Sequence, residues 1–419
     1  MKLDDVDLCD LDRFARMEHH EMFRVLRAED PVHWTPEPDG PGFWSITKHA
    51  DLVQVNRDHE TFSAEKGGIT LHEFDLEPGN VDMRGKIMVM TDPPRHTRYR
   101  LLVNKGFTPR MIGMLESHLA YRAELIVDSV IERGECEFVT DLAAELPLQA
   151  IAEIMGVPQE ERHLLFEWSN AMIGADDPEY NKDADNRAVA QGAAAELYLY
   201  ASALGEARRN DPREDVVTRL INAEIEGDKL TSEEFELFIL LLAVAGNETT
   251  RNATAHGMHA LMTHPDQFAL LCEQPELLPT AVEEILRWAS PVLYFRRQAT
   301  RDYELRDTTI KAGDKVAMWF VSGNRDEEVF DDPYTFDITR SPNDHIAFGG
   351  GGAHFCLGAN LARLELRLLF EQVVQRLPDM RLAGDVERLR SNFIGGIKHI
   401  PVQFTPGKRL HAEPVGADA

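Results

Sequence analysis

The chain has 419 residues and a formal net charge of −28, from 44 basic and 72 acidic residues, a balance that argues against nucleic acid or an anionic membrane surface as a partner. No Pro/Gly/Ser-rich linker and no repeat divides that length, so residues 1–419 read as one domain with a large core. Four cysteines at wide, irregular spacing make no disulfide framework, and Met1 to Cys9 hold no apolar stretch for a signal peptide or membrane anchor, so a cytoplasmic protein is expected.

In chain order, apolar residues at three- and four-residue spacing predict helices over 10–27, 109–131, 158–173, 187–209, 231–263 and 357–377. Runs rich in β-branched and aromatic residues predict short strands over 42–46, 315–320 and 400–404. The sum is a mainly α fold with a minor β region. Residues 174–186, rich in Asp, Pro, Gly and Asn, read as a loop between two helices that could move over a pocket. The helix over 231–263 is the longest; it opens on a capping box, Thr231-Ser232-Glu233-Glu234, and stops before Pro265. Its stretch from Leu237 to Ala245 is apolar on all sides and too short to span a bilayer, so it must cross the interior. The next residues, Gly246-Asn247-Glu248-Thr249-Thr250, place a carboxylate and two hydroxyls where burial is costly. Thr249 could simply bond back to a carbonyl one turn earlier and bend the helix.

Near the C-terminus, Phe348-Gly349-Gly350-Gly351-Gly352-Ala353-His354-Phe355-Cys356-Leu357-Gly358 sets one cysteine after four glycines and before a helical stretch. Glycines let the backbone lie flat against a large planar ligand. The helix start offers free N–H groups and a partial positive charge that favour a thiolate. A lone cysteine is as a rule a small buried hydrophobe. A zinc site is disfavoured because Cys9, Cys136 and Cys272 are far apart and no C-x-x-C pair exists. One thiolate ligand with a glycine loop suits haem iron, where the sulfur pushes electron density onto the metal and favours O–O cleavage.

With these residues in view the chain resembles the cytochrome P-450 family of haem-thiolate monooxygenases over nearly its whole length. The family pattern F-G-x-G-x-H-x-C-x-G is matched with one extra residue between Phe348 and Cys356. The resemblance implies the cytochrome P-450 fold, with the long central helix over a haem b whose iron takes Cys356 as axial ligand. It implies a local opening of that helix at Gly246 for dioxygen, with Thr249 donating a hydrogen bond and Glu248 feeding protons. The pattern H-x-x-x-R places His96 and Arg100 on one helix face, and with Arg297 and His354 they would meet the haem propionates. Glu284 and Arg287 match E-x-x-R, with Arg340 as a third, structural partner.

The chain has no flavin or nicotinamide fingerprint and no cluster-binding cysteines, so a ferredoxin and its reductase are implied as electron donors. Arg95, Arg98, Lys105, Arg110, Arg363 and Arg367 flank the haem motifs and would form a basic docking face. By family position the substrate pocket lies near residues 69–74, 87–90, 168–173 and 292–295, with Ile69, Met88, Met90, Met172, Val244, Ala245, Val292, Phe295 and Phe393 as candidate lining. This apolar set fits an apolar small molecule. The motifs around Glu248, Glu284 and Cys356 are similar to those of bacterial enzymes that hydroxylate the terminal methyl of branched lipids and steroid side chains. The alternatives are a ring or allylic hydroxylase of a terpenoid or aromatic, and a haem-binding sensor that does not turn over. An intact Glu248-Thr249 pair opposes the sensor reading, and it opposes an isomerase or peroxygenase as well.

Overall fold

A computed structural model describes residues 1–71, 81–104, 109–180, 186–213, 215–225 and 227–411. The architecture is mainly helical with a small sheet region, as the periodicity predicts. The central helix, Ser232–Thr263, is closed at its start by the predicted capping box. Glu234 N–H donates to Thr231 Oγ1 (3.2 Å) and Thr231 N–H donates to Glu234 Oε2 (2.9 Å). Apolar on all sides, this helix finds partners all round: Glu145–Met155, Arg162–Ile173, Asn186–Asn210, Leu278–Ala289 and Ala359–Arg376 pack against it, and the largest core cluster forms there.

A five-stranded sheet lies beside this helical body, in the order Val32–Thr35, Phe43–Ile46, Lys315–Trp319, Tyr294–Ala299, Phe62–Ser63. Tyr294–Ala299 pairs antiparallel with Lys315–Trp319, setting Phe295 opposite Met318 and Arg297 opposite Val316. Residues two apart share a face, so Phe295 and Arg297 project together. The predicted strand over 400–404 is Pro401–Gln403, between Arg381–Leu382 and Glu135–Glu137.

Two sequence expectations change here. The single helix over 10–27 is two, Leu11–Ala15 and His19–Glu29, because Met17 takes φ 62° and turns the chain. That left-handed turn carries no glycine to mark it. In the expected loop over 174–186, residues 181–185 lie outside the described residues. Gly174–Tyr180 is tied down: Asp177 accepts from Arg390 N–H (2.8 Å) and from Lys398 Nζ (3.1 Å).

Candidate active site

The glycine run is shaped by a neighbouring helix. Gly349, Gly351 and Gly352 have φ of 90°, 91° and 77°, left-handed values that favour glycine. A Cβ on Gly350 would lie 2.9 Å from Val53 Cα in the helix His49–Arg57. From the same helix Asn56 Nδ2 donates to Gly351 O (2.6 Å) and Arg57 Nε to Gly350 O (3.0 Å). The expectation that all four glycines face a planar ligand is thus corrected, because only Gly349 among them lines the cavity. Cys356 N–H donates to Phe348 O (3.1 Å), and the residue is exposed and lines that cavity. Burial pushes the Cys356 thiol up, while N–H groups of Gly358 and Ala359 and the charges of Arg100 and Arg363 pull the other way. The helix start acts in the expected direction, and burial opposes it.

The cavity above Cys356 has about 1430 Å³ of empty space. His96, Arg100 and His354 are among its lining residues. The His96 and His354 rings are 4.2 Å apart, and both sense the charges of Arg100 and Arg297. His96 is pushed down to about 4 and His354 to about 2, burial being the largest cause in each. Burial also lowers Arg297 to about 10. Buried polar atoms without a hydrogen-bond partner include His96 Nδ1, His354 Nε2 and Arg297 Nη2. Asp92 is the acid that acts on His96 and Arg297, but its carboxylate is already bonded to the Ser63 hydroxyl and Ala64 N–H, so the orphaned atoms are open to an anion. The two carboxylates of a haem would meet that need and the Cys356 sulfur could ligate its iron, so the residues present fit the group.

On the central helix Thr249 faces the cavity, and its hydroxyl donates to Ala245 O (2.7 Å). The helix runs without a break through Gly246, so the expected local opening is absent from this structure. The glycine serves close packing, since a Cβ there would sit 2.9 Å from Ile151 Cγ1 and closer still to Cδ1. Glu248 is buried on another face and forms an ion pair with Arg251, whose Nη1 donates to Asn170 Oδ1 (2.8 Å). Burial pushes the Glu248 carboxyl up and Arg251 opposes it.

Glu284, Arg287 and Arg340 meet as expected. Arg287 Nη2 lies 2.7 Å from Glu284 Oε1, both side chains fully buried, and Arg340 Nε lies 3.2 Å from Glu284 Oε2. Arg287 Nη1 also donates to the Asn324 and Pro333 carbonyls (2.9 Å each), and Asn324 Oδ1 accepts from Ile346 N–H (2.7 Å), two residues before Phe348. The network thereby anchors the cysteine loop. A second anchor was not read from the sequence: Glu283 takes Arg363 Nε (2.6 Å) and His345 Nε2 (3.0 Å), which holds its carboxyl down at about 2. Arg251, Asn170 and Glu365 were missed too. Glu365 lines the cavity, is buried with Oε2 unpartnered, and is pushed up to about 8.

Of the candidate pocket residues, Met88, Ala245, Val292 and Phe295 line the cavity. Met90, Ile69, Met172 and Val244 pack with the main core, and Phe393 packs on the Tyr294 and Phe295 rings. Residues 72–74 lie outside the described residues. The basic docking face is also altered. Arg98 pairs with Asp228 and Glu234, Arg363 with Glu283, and Arg367 with Glu116. Arg95 Nε donates to the Tyr99 hydroxyl (2.9 Å). Lys105 and the Arg110 side chain lie outside the described residues.

The family model for Cytochrome P450 matches residues 271–378. The chain is 46% identical over 393 residues to the steroid C26-monooxygenase of Mycolicibacterium smegmatis, covering 92% of this chain and 90% of that one. It is 42% identical over 413 residues to the methyl-branched lipid omega-hydroxylase of Mycobacterium tuberculosis, covering 96% and 95%. A solved structure of a Mycobacterium marinum cytochrome P450 in complex with pseudoionone matches at TM-score 0.90 and 38% identity, covering 96% and 99%. Fold, site and relatives define the class as a haem monooxygenase. The chain belongs to the cytochrome P450 family. No helix among the described residues is long and apolar enough to cross a membrane.

Proposed function

We propose that this P450 hydroxylates the terminal methyl of a methyl-branched lipid, isoprenoid or steroid side chain. The balance is R–H + O2 + two electrons + two protons → R–OH + H2O, with the electrons from a ferredoxin and its reductase. The observation that carries the reading is the lining of the cavity: around Cys356 and Thr249 it is built largely of apolar side chains, and Val89, Phe238, Leu241, Leu242, Val292 and Phe295 supply an apolar wall. Such a wall binds hydrocarbon and leaves its reacting carbon without a polar handle. The steroid and branched-lipid relatives support the same class of substrate.

Haem b, held by the Cys356 thiolate, would supply the reductive activation of dioxygen. Arg100, Arg297, His96 and His354 would hold its propionates. Thr249, with its proton engaged on Ala245 O, presents hydroxyl lone pairs to the cavity and can pass a proton by rotating. Glu248 sits behind it and would take protons from the Arg251–Asn170 side.

Titration of the purified ferric protein with branched fatty acids, isoprenoids, cholestenones and small terpenes, following the Soret band, tests the substrate. A low-to-high-spin shift with the lipid class, and a product oxidised at the terminal methyl, is expected. No shift with lipids but a clear one with a small terpene or aromatic would overturn this assignment in favour of a ring or allylic hydroxylase.

A further inference from the structure

A second cavity, of about 820 Å³, shares no lining residue with the first. Its apolar walls include Phe14, Leu293 and Val321. Its polar lining includes His19 and His20, His256 and His259 from the central helix, and Arg325 and Arg388, with no Asp, Glu or Lys. Arg325 is 2% exposed; its Nη2 donates to Trp288 O (2.8 Å), its guanidinium lies 4.9 Å over the Trp288 ring, and its Nη1 has no partner. Arg388 Nη1, His19 Nδ1 and His20 Nδ1 lack partners as well. Tyr334, an exposed side chain, also lines the cavity.

Two arginines with unpartnered guanidinium nitrogens, lining one space with four histidines and no acid, are a costly arrangement unless an anion enters it. Two guanidinium groups match the two oxygens of a carboxylate, whereas a phosphate dianion would press its remaining oxygens on the apolar walls. We infer that this cavity binds an organic carboxylate, the oxyanion held between Arg325 and Arg388 and the apolar body resting on Phe14, Leu293 and Val321. Burial, aided by the arginine charges, holds all four histidines neutral, with His19 pushed down to about 3 and His259 to about 4. Behind the lining stand His264, Arg27, paired with Glu327, and Arg287, paired with Glu284, so the acids there are already engaged. A bound carboxylate would offset the positive field on the histidines, so affinity should rise as pH falls.

Calorimetric titration of the ferric holoenzyme with benzoate, with inorganic phosphate as comparator and the Soret band followed in parallel, tests the site. Saturable benzoate binding, tighter in mildly acidic buffer and without a Soret change, is expected. Arg388→Gln should weaken it about tenfold or more. Arg388→Glu should abolish it, both variants keeping the parent haem spectrum. Absence of saturable binding, binding unchanged in Arg388→Glu, or binding seen only together with a Soret shift would overturn the site. Tighter binding of phosphate than of benzoate would overturn the carboxylate assignment.

Discussion

Gly246→Ala asks what the glycine in the central helix is for. On a free helix surface alanine in place of glycine stabilises by about 1 kcal/mol. Here the added methyl would sit 2.9 Å from Ile151 Cγ1 and closer to Cδ1, and such overpacking costs about 1–3 kcal/mol. The net expectation is a loss of about 0–2 kcal/mol. Ile151→Val removes the Cδ1 methyl and alone costs about 0.5–1.5 kcal/mol. In that background the closer clash is gone and the 2.9 Å approach to Cγ1 remains, so Gly246→Ala costs less than in the parent. The coupling between the two sites is therefore on the order of 1 kcal/mol or more. Urea unfolding of the four holoproteins, followed by far-UV dichroism and haem absorbance, measures it. An equal effect of Gly246→Ala in both backgrounds would show that contact with Ile151 does not select the glycine. Product formed per reductant consumed divides the roles further. If the glycine serves packing alone, the double variant recovers the parent ratio; if its space admits dioxygen, the ratio stays low.

Glu365 keeps its proton up to about pH 8 in the fold, while the unfolded chain releases it near the ordinary carboxyl value. Stability therefore falls as pH rises between those values, by roughly 3 kcal/mol at neutral pH. Glu365→Gln should recover stability of that order and flatten the pH dependence of urea unfolding; an unchanged slope would show that the carboxyl is ionised. Arg297→Ala should speed haem loss to apomyoglobin about 10- to 100-fold, the loss of one charge-assisted contact, and parent-like retention would remove Arg297 from the propionate set. Thr249→Ala should keep haem and the substrate-induced spin shift but divert reducing equivalents to peroxide; a parent ratio of product to reductant would refute the role of its hydroxyl. Glu248→Gln should slow turnover about a hundredfold at unchanged haem content if the carboxyl relays protons, and near-parent turnover would assign it to the Arg251 pair alone.

What could be read from the sequence was what lies close along the chain. The central helix declared itself through Thr231, Glu234 and an apolar stretch without a polar face, all within a few turns. Cys356 declared itself through its glycines, although the reason for three of them, the helix His49–Arg57 nearly three hundred residues earlier, was out of reach. Glu284 and Arg287 would pass for a surface ion pair at helical spacing; only the structure shows both fully buried and bonded to the 324–340 segment. Asn170 with Arg251, and Glu283 with His345 and Arg363, join residues that no local pattern relates. Met17 turned a predicted helix into two because a non-glycine took a left-handed conformation that nothing nearby announces.

The most misleading number in the sequence is its net charge. A chain of −28 suggests an anionic molecule throughout, yet acids dominate at the surface, where hydration holds them cheaply. Inside, buried acids and bases are about equal in number, yet Arg297, Arg325, Arg388, His96, His354, His19 and His20 all carry donors or ring nitrogens with no partner. Desolvation makes such groups far more expensive than their surface counterparts. They cluster in only two places, and each lies on or beside a cavity that can admit an anion. For the first, the haem propionates are the fitting occupant. The second gathers Arg325 and Arg388 with no acid in its lining and no group of the family to fill it, and so it is there that the orphaned guanidinium nitrogens point to a ligand of their own.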